Sequence, residues 1–168
     1  MSQGPRYHIK PRRQREGRTD YRKRLRLLRS RKIRLVVRNS LKNIRVQFID
    51  YHETGDKVIA SATSNELVTK YNWKYATSTT PAAYLTGMLA AKRAKDKGIE
   101  ESILDIGRNV PTTGAKVFAA LKGVIDTGIT CPHDKEKIPN EDRLTGKHLN
   151  KDILPQINTI KSKIIGDK

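Results

Sequence analysis

A single cysteine, Cys131, stands among 168 residues. No disulfide can form within the chain, and a reducing compartment fits best. No apolar run approaches the roughly 18 residues of a membrane span, so no membrane partner is expected. The N-terminus has no apolar stretch of signal-peptide type, which argues against export. An Arg-rich, acid-poor start is also the composition of a transit peptide or a nuclear address. Tyr7, Tyr21 and the Arg clusters look built for contact rather than removal. Apolar residues make up 36%, below the roughly 45–50% of an average globular protein, a count that includes Gly. The deficit lies mainly at the two ends, which are expected to order only against a partner. Acids are scarcest in the first 45 positions, where only Glu16 and Asp20 occur.

Those same 45 positions hold 17 of the 35 Lys and Arg residues, a net +15 of the chain's +18. Such a density requires a polyanion, and nucleic acid is the commonest one. The remaining residues, with 18 bases and 15 acids, form an ordinary mixed surface. Three regions follow: a basic arm over 1–32, a globular core over 33–129 and a polar C-terminal extension over 130–168.

Pro5, Pro11, Gly4 and Gly17 predict an extended arm up to residue 17. From Thr19, a candidate N-cap, a short helix runs to Arg31 and docks by a stripe of Tyr21, Leu25 and Leu28. Two period-two segments follow, Ile33 to Arg38 and Ile44 to Ile49, separated by the loop Asn39 to Asn43. A turn at Glu53-Thr54-Gly55-Asp56 leads to a third strand, Lys57 to Ala62. Thr80-Pro81 opens a helix with Ala82, Ala83, Leu85, Met88 and Leu89 as its buried face. Gly98 stops that helix, and its last turn is basic. A strand at Ser102 to Ile106 completes a crossover and lies parallel to a neighbour. A second helix starts near Thr112-Thr113, buries Val117, Phe118, Leu121, Val124 and Ile125, and ends at Gly128. A last helix over Ile153 to Ile165 is weakly indicated, because Pro155 interrupts it. The fold class is α/β: a four-stranded mixed sheet, made of a three-strand antiparallel meander plus one parallel strand, with two main helices.

Catalytic patterns are poorly served. Gly107 and Gly114-Ala115-Lys116 miss the spacing and the Lys position of a phosphate loop. Cys131, His133 and His148 lack the paired spacing of a zinc site. Asp50, Asp105 and Asp126 are the only carboxylates placed to imitate a two-metal nuclease of the ribonuclease H type, and strand-end Asp residues are far more often turn formers. No cofactor is indicated.

Nucleic-acid contact is better supported. The first 45 residues hold 13 Arg to 4 Lys, and Arg grips phosphate through a planar fork and stacks on bases. Interleaved Tyr side chains stack and hydrogen-bond. Candidate contacts in the arm are Arg6, Tyr7, Lys10, Arg12, Arg13, Arg15, Arg18, Tyr21, Arg22, Lys23, Arg24, Arg26, Arg29, Arg31 and Lys32. The outer strand face and hairpin add Arg34, Arg38, Asn39, Ser40, Lys42, Asn43 and Arg45. Lys57 is a further candidate, as are Thr112, Thr113 and Lys116, taken as a helix start that attracts phosphate. Composition alone does not separate RNA from DNA. A DNA-packaging or DNA-binding protein is the first alternative, and a metal-dependent nuclease the second. Helix-turn-helix, basic-zipper and aromatic RNA-recognition signatures are missing.

The arm Arg12-Arg13-Gln14-Arg15-Glu16-Gly17-Arg18-Thr19-Asp20-Tyr21 resembles the R-R-R-R-E-G-K-T-D-Y arm of the L-eighteen family, the large-subunit ribosomal proteins that bind 5S rRNA. Arg34-Leu35-Val36-Val37-Arg38-Asn39-Ser40 is similar to the family's first strand and loop. Leu104-Asp105-Ile106-Gly107 with Pro111 through Gly123 is similar to its second helix. Ile129 through His133 and Pro139 through His148 resemble the C-terminal extension of its archaeal and eukaryotic branch, and the chain's short length favours the archaeal form. Ile138, where an aromatic is expected, and Cys131 depart from the pattern. The resemblance implies a non-catalytic component of the central protuberance that holds 5S rRNA, links it to the large-subunit rRNA and neighbours an L-five family ribosomal protein.

Overall fold

The computed structural model describes residues 4–149 and 153–166. The arm is not wholly extended before Gly17. After Pro11 the chain makes one helical turn, α1 (Arg12–Arg15). Gly17, at φ +66°, folds it back so that the Arg18 and Thr19 amides donate to Arg13 O. Next comes α2 (Tyr21–Leu28), capped by the Asp20 carboxylate, which accepts from the Arg22 and Lys23 amides. The cap is therefore Asp20 and not Thr19, whose hydroxyl instead accepts from Arg13 Nε at 2.9 Å.

The sheet has the predicted topology. β1 (Arg34–Asn39), β2 (Ile44–Asp50) and β3 (Lys57–Thr63) form the antiparallel meander. β4 (Ile103–Asp105) runs parallel to β1, giving the order β3-β2-β1-β4. Leu35, Val37, Ile44, Val46, Phe48, Ala60 and Ala62 share one face and are all buried. That face is covered by α4 (Thr80–Lys95) and α5 (Lys116–Asp126). A helix not foreseen, α3 (Ser64–Tyr71), follows β3 directly and is closed by a Thr63/Glu66 capping box.

The one-sided burial expected of α4 is too narrow. Thirteen of its 16 residues are buried, because sheet, α3, α5 and α7 (Ile153–Gly166) surround it. Such an all-round apolar helix is a core element. Its cap is Thr79, whose Oγ1 accepts from the Ala82 amide, one residue earlier than expected. The helices α4 and α5 meet through glycines. A Cβ on Gly87 would lie 2.1 Å from Ala120 O, and one on Gly123 2.2 Å from Tyr84 O. The backbones touch where no side chain fits.

The basic end of α4 is not simply wet. Arg93 donates to Ser61 O at 2.5 Å and pairs with Glu66, and Lys97 donates to Ile59 O. Both carbonyls lie on β3, one of the two edge strands of the sheet, so these cations cap an edge open to strand addition. The C-terminal segment packs on the chain's own core. In α7, Ile153, Ile157, Ile160 and Ile164 are each 1% exposed, and the helix packs on α4. Pro155 lies in its first turn, where the missing amide costs no hydrogen bond. A 3₁₀ turn (Lys135–Lys137) and the short helix α6 (Glu141–Leu144) connect α5 to this helix.

Candidate nucleic-acid interface

The outer face of the sheet joins the arm to the core through a chain of alternating charge. Arg24 on α2 grips both oxygens of Asp56, in the β2–β3 turn, at 2.8 and 2.9 Å. Asp56 also accepts from Arg34 at 2.7 Å. Arg34 then reaches Asp105 at 3.1 Å, and Asp105 accepts from Arg38 at 3.0 Å. The Asp105 carboxylate is completed by the Gly107 amide at 2.8 Å. Gly107 sits at φ +63°, in the left-handed region that favours glycine. Partial burial pushes the Asp56 carboxyl up, but Arg24 and Arg34 more than offset this and hold it below its ordinary value.

Arg34, one of the expected RNA contacts, is 2% exposed and paired with Asp56 and Asp105 as an internal cation. The pairs also correct one expectation. The stripe that docks α2 is not Tyr21, Leu25 and Leu28. Arg24, Leu27 and Leu28 are half-buried, while Tyr21 and Leu25 are exposed, because the Arg24–Asp56 pair fixes the helix rotation.

The arm's charge is nonetheless largely uncompensated. Of the 17 bases in residues 1–45, Arg12, Arg18, Arg24, Lys32, Arg34 and Arg38 have carboxylate partners. The other eleven have none among the described residues: Arg6, Lys10, Arg13, Arg15, Arg22, Lys23, Arg26, Arg29, Arg31, Lys42 and Arg45. All eleven are exposed, as are Tyr7 and Tyr21. Arg12 and Arg18 pair only with exposed-side Glu16 and stay mostly accessible, at 71% and 65%. Exchanging such a surface pair for phosphate costs little.

At the β1–β2 hairpin, Ser40 and Asn43 hold the turn closed. The Ser40 hydroxyl accepts from the Asn43 amide at 2.9 Å, and Thr77 donates to Asn43 Oδ1 at 3.3 Å. They shape the loop and leave Leu41 and Lys42 at its tip, with Leu41 96% exposed. Behind the tip, Arg38, Asn39, Arg45, Thr63 and Asn65 line an open polar cleft across the strand ends.

Lys57 is exposed on β3 opposite Asp50. Thr112 and Thr113 do not start a helix. The Ala115 amide donates to Thr112 O in a turn, Gly114 sits at φ +74°, and α5 begins at Lys116. Only Lys116 therefore occupies a helix N-terminus. The nuclease carboxylates are dispersed: Asp50 accepts from the Tyr51 amide, Asp105 holds two arginines, and Asp126 binds Tyr84 and Lys122. Arg108 was not anticipated. It sits against Gly17, with a guanidinium nitrogen 3.0 Å from where a Cβ would be. Its signal in the sequence is slight, a single Arg after the positive-φ glycine at 107.

Comparison with known proteins decides the affiliation. A family model described as ribosomal large subunit proteins 60S L5 and 50S L18 matches residues 5–101 and 95–134. The chain belongs to this family. A large ribosomal subunit protein uL18 of Korarchaeum cryptofilum is 56% identical over 149 residues, covering 89% of the chain and 76% of the relative. Those of Aeropyrum pernix and Haloarcula marismortui are 47% and 48% identical, each over 89% of the chain and over 70% and 79% of the relative. Members of this family are structural, non-enzymatic components of the large ribosomal subunit, which removes the DNA-packaging and nuclease alternatives.

Proposed function

We propose that this chain binds 5S rRNA in the large ribosomal subunit and helps attach it to the large rRNA of the central protuberance, beside an L-five family protein. Family membership supports rRNA as the polyanion. The observation that carries the choice of surface is the set of eleven exposed, unpaired bases gathered on the arm and the hairpin end of the sheet. In this reading the arm tracks phosphates through Arg13, Arg15, Arg22, Arg26 and Arg29, with Arg12 and Arg18 released from Glu16. Tyr7 and Tyr21 stack on bases or riboses. Lys42 and Arg45 meet the RNA from the hairpin end, while the Arg24–Asp56 pair fixes the arm's angle to the core. Crosslinking the protein in cells and sequencing the recovered RNA tests this. Enrichment of 5S rRNA above its share of total rRNA is expected. Recovery of large rRNA alone contradicts the 5S assignment.

A further inference from the structure

Between α2 and the β4–α5 connection lies a cleft of about 350 Å³. Its apolar lining is Leu27, Leu104, Ile106 and Pro111. Its charged lining is seven Lys and Arg against two acids, Asp20 and Asp105. Neither acid is free. Asp20 accepts from the Arg22 and Lys23 amides, and Asp105 holds Arg34 and Arg38. Arg24 and Arg38 are likewise committed, which leaves Arg13, Arg18, Lys23, Arg26 and Arg108 to receive an anion.

A duplex offers only its phosphate rails to such a surface and cannot use the apolar lining. An unpaired nucleotide uses both, laying its base on the apolar side chains and its phosphates among the guanidiniums. The volume is near the lower end of the roughly 300–1,000 Å³ of small-ligand sites, suited to one such unit. We propose that this cleft receives a single everted nucleotide of the bound rRNA. The proposal rests on the chain binding rRNA, but not on which rRNA it is.

The test uses the full chain with extracted 5S and large-subunit rRNAs, base-by-base chemical probing and affinity at several salt concentrations. Leu27→Trp fills the cleft without removing charge, Leu25→Trp changes the exposed side of the same helix, and Arg108→Gln removes one cation at the surface. Wild type and Leu25→Trp protect one unpaired base strongly. Leu27→Trp restores its reactivity and weakens binding about tenfold with an unchanged salt slope. Arg108→Gln lowers the slope by about 0.7–0.9, the value of one phosphate. Wild-type affinity and protection in Leu27→Trp overturn the proposal, as does a footprint confined to paired segments. Tight binding of polyglutamate that Leu27→Trp abolishes overturns it in favour of an acidic peptide. The RNA carrying the protected base reports separately on the 5S assignment.

Discussion

Asp105 is the residue on which the outer face depends, since it neutralises a guanidinium that water does not reach. Breaking a buried pair outright costs about 3–5 kcal/mol, and without Asp105 the Arg34 guanidinium keeps only Asp56. Asp105→Ala is expected to lose up to that much in denaturant unfolding, and less in a background that carries Arg34→Met. Arg34→Gln should leave the salt slope of RNA binding unchanged, a result that separates it from the exposed arginines. Asp56 carries the pH dependence. Its carboxyl titrates lower in the folded state than in the unfolded chain, so its stabilisation is full above about pH 4. That contribution disappears as pH falls through the folded value. Asp56→Asn should therefore be less stable than wild type at pH 6, with the gap closing in acid; a gap that widens in acid contradicts the pairing. None of this was legible in the sequence. Alternation placed Arg34 and Arg38 on one face, but period two says nothing of which acids arrive there from residues 56 and 105.

Helix α4 is the element that organises the core, and its glycine contact with α5 is the least forgiving point. Gly87→Ala puts a methyl against the Ala120 carbonyl, and overpacking of this kind costs about 1–3 kcal/mol or more. Thermal unfolding should register it, and an unchanged midpoint would show the two backbones to be farther apart. The strands and the two main helices were legible because alternation and Thr-Pro and Gly punctuation are local signals. Helix α3 was not, since it buries only Ser64 and Leu67; the Thr63-to-Glu66 spacing of a capping box was its one trace. The start of α5 was misplaced because Thr112-Thr113 looks like a cap, while Gly114 diverts the chain into a turn. Helix α7 was doubted for Pro155, which a first turn tolerates. Its isoleucine spacing is the better signal, and Ile160→Ala should cost about 2–5 kcal/mol.

Across the whole molecule, charge is sorted into two uses. Some cations are internal fasteners: Arg24, Arg34 and Arg38 tie arm, turn and strands together, and Arg93 and Lys97 seal the sheet edge. The eleven exposed bases without carboxylate partners among the described residues make up the proposed RNA-binding surface. The density of Arg in the arm announced a polyanion from sequence alone, whereas the division of labour needed the fold. Titrating 5S rRNA binding against salt tests the use of that surface most directly. With about eight phosphates neutralised, log affinity should fall against log salt with a slope near −6. A slope near zero, at measurable affinity, would mean that the guanidiniums of the arm do not hold the RNA.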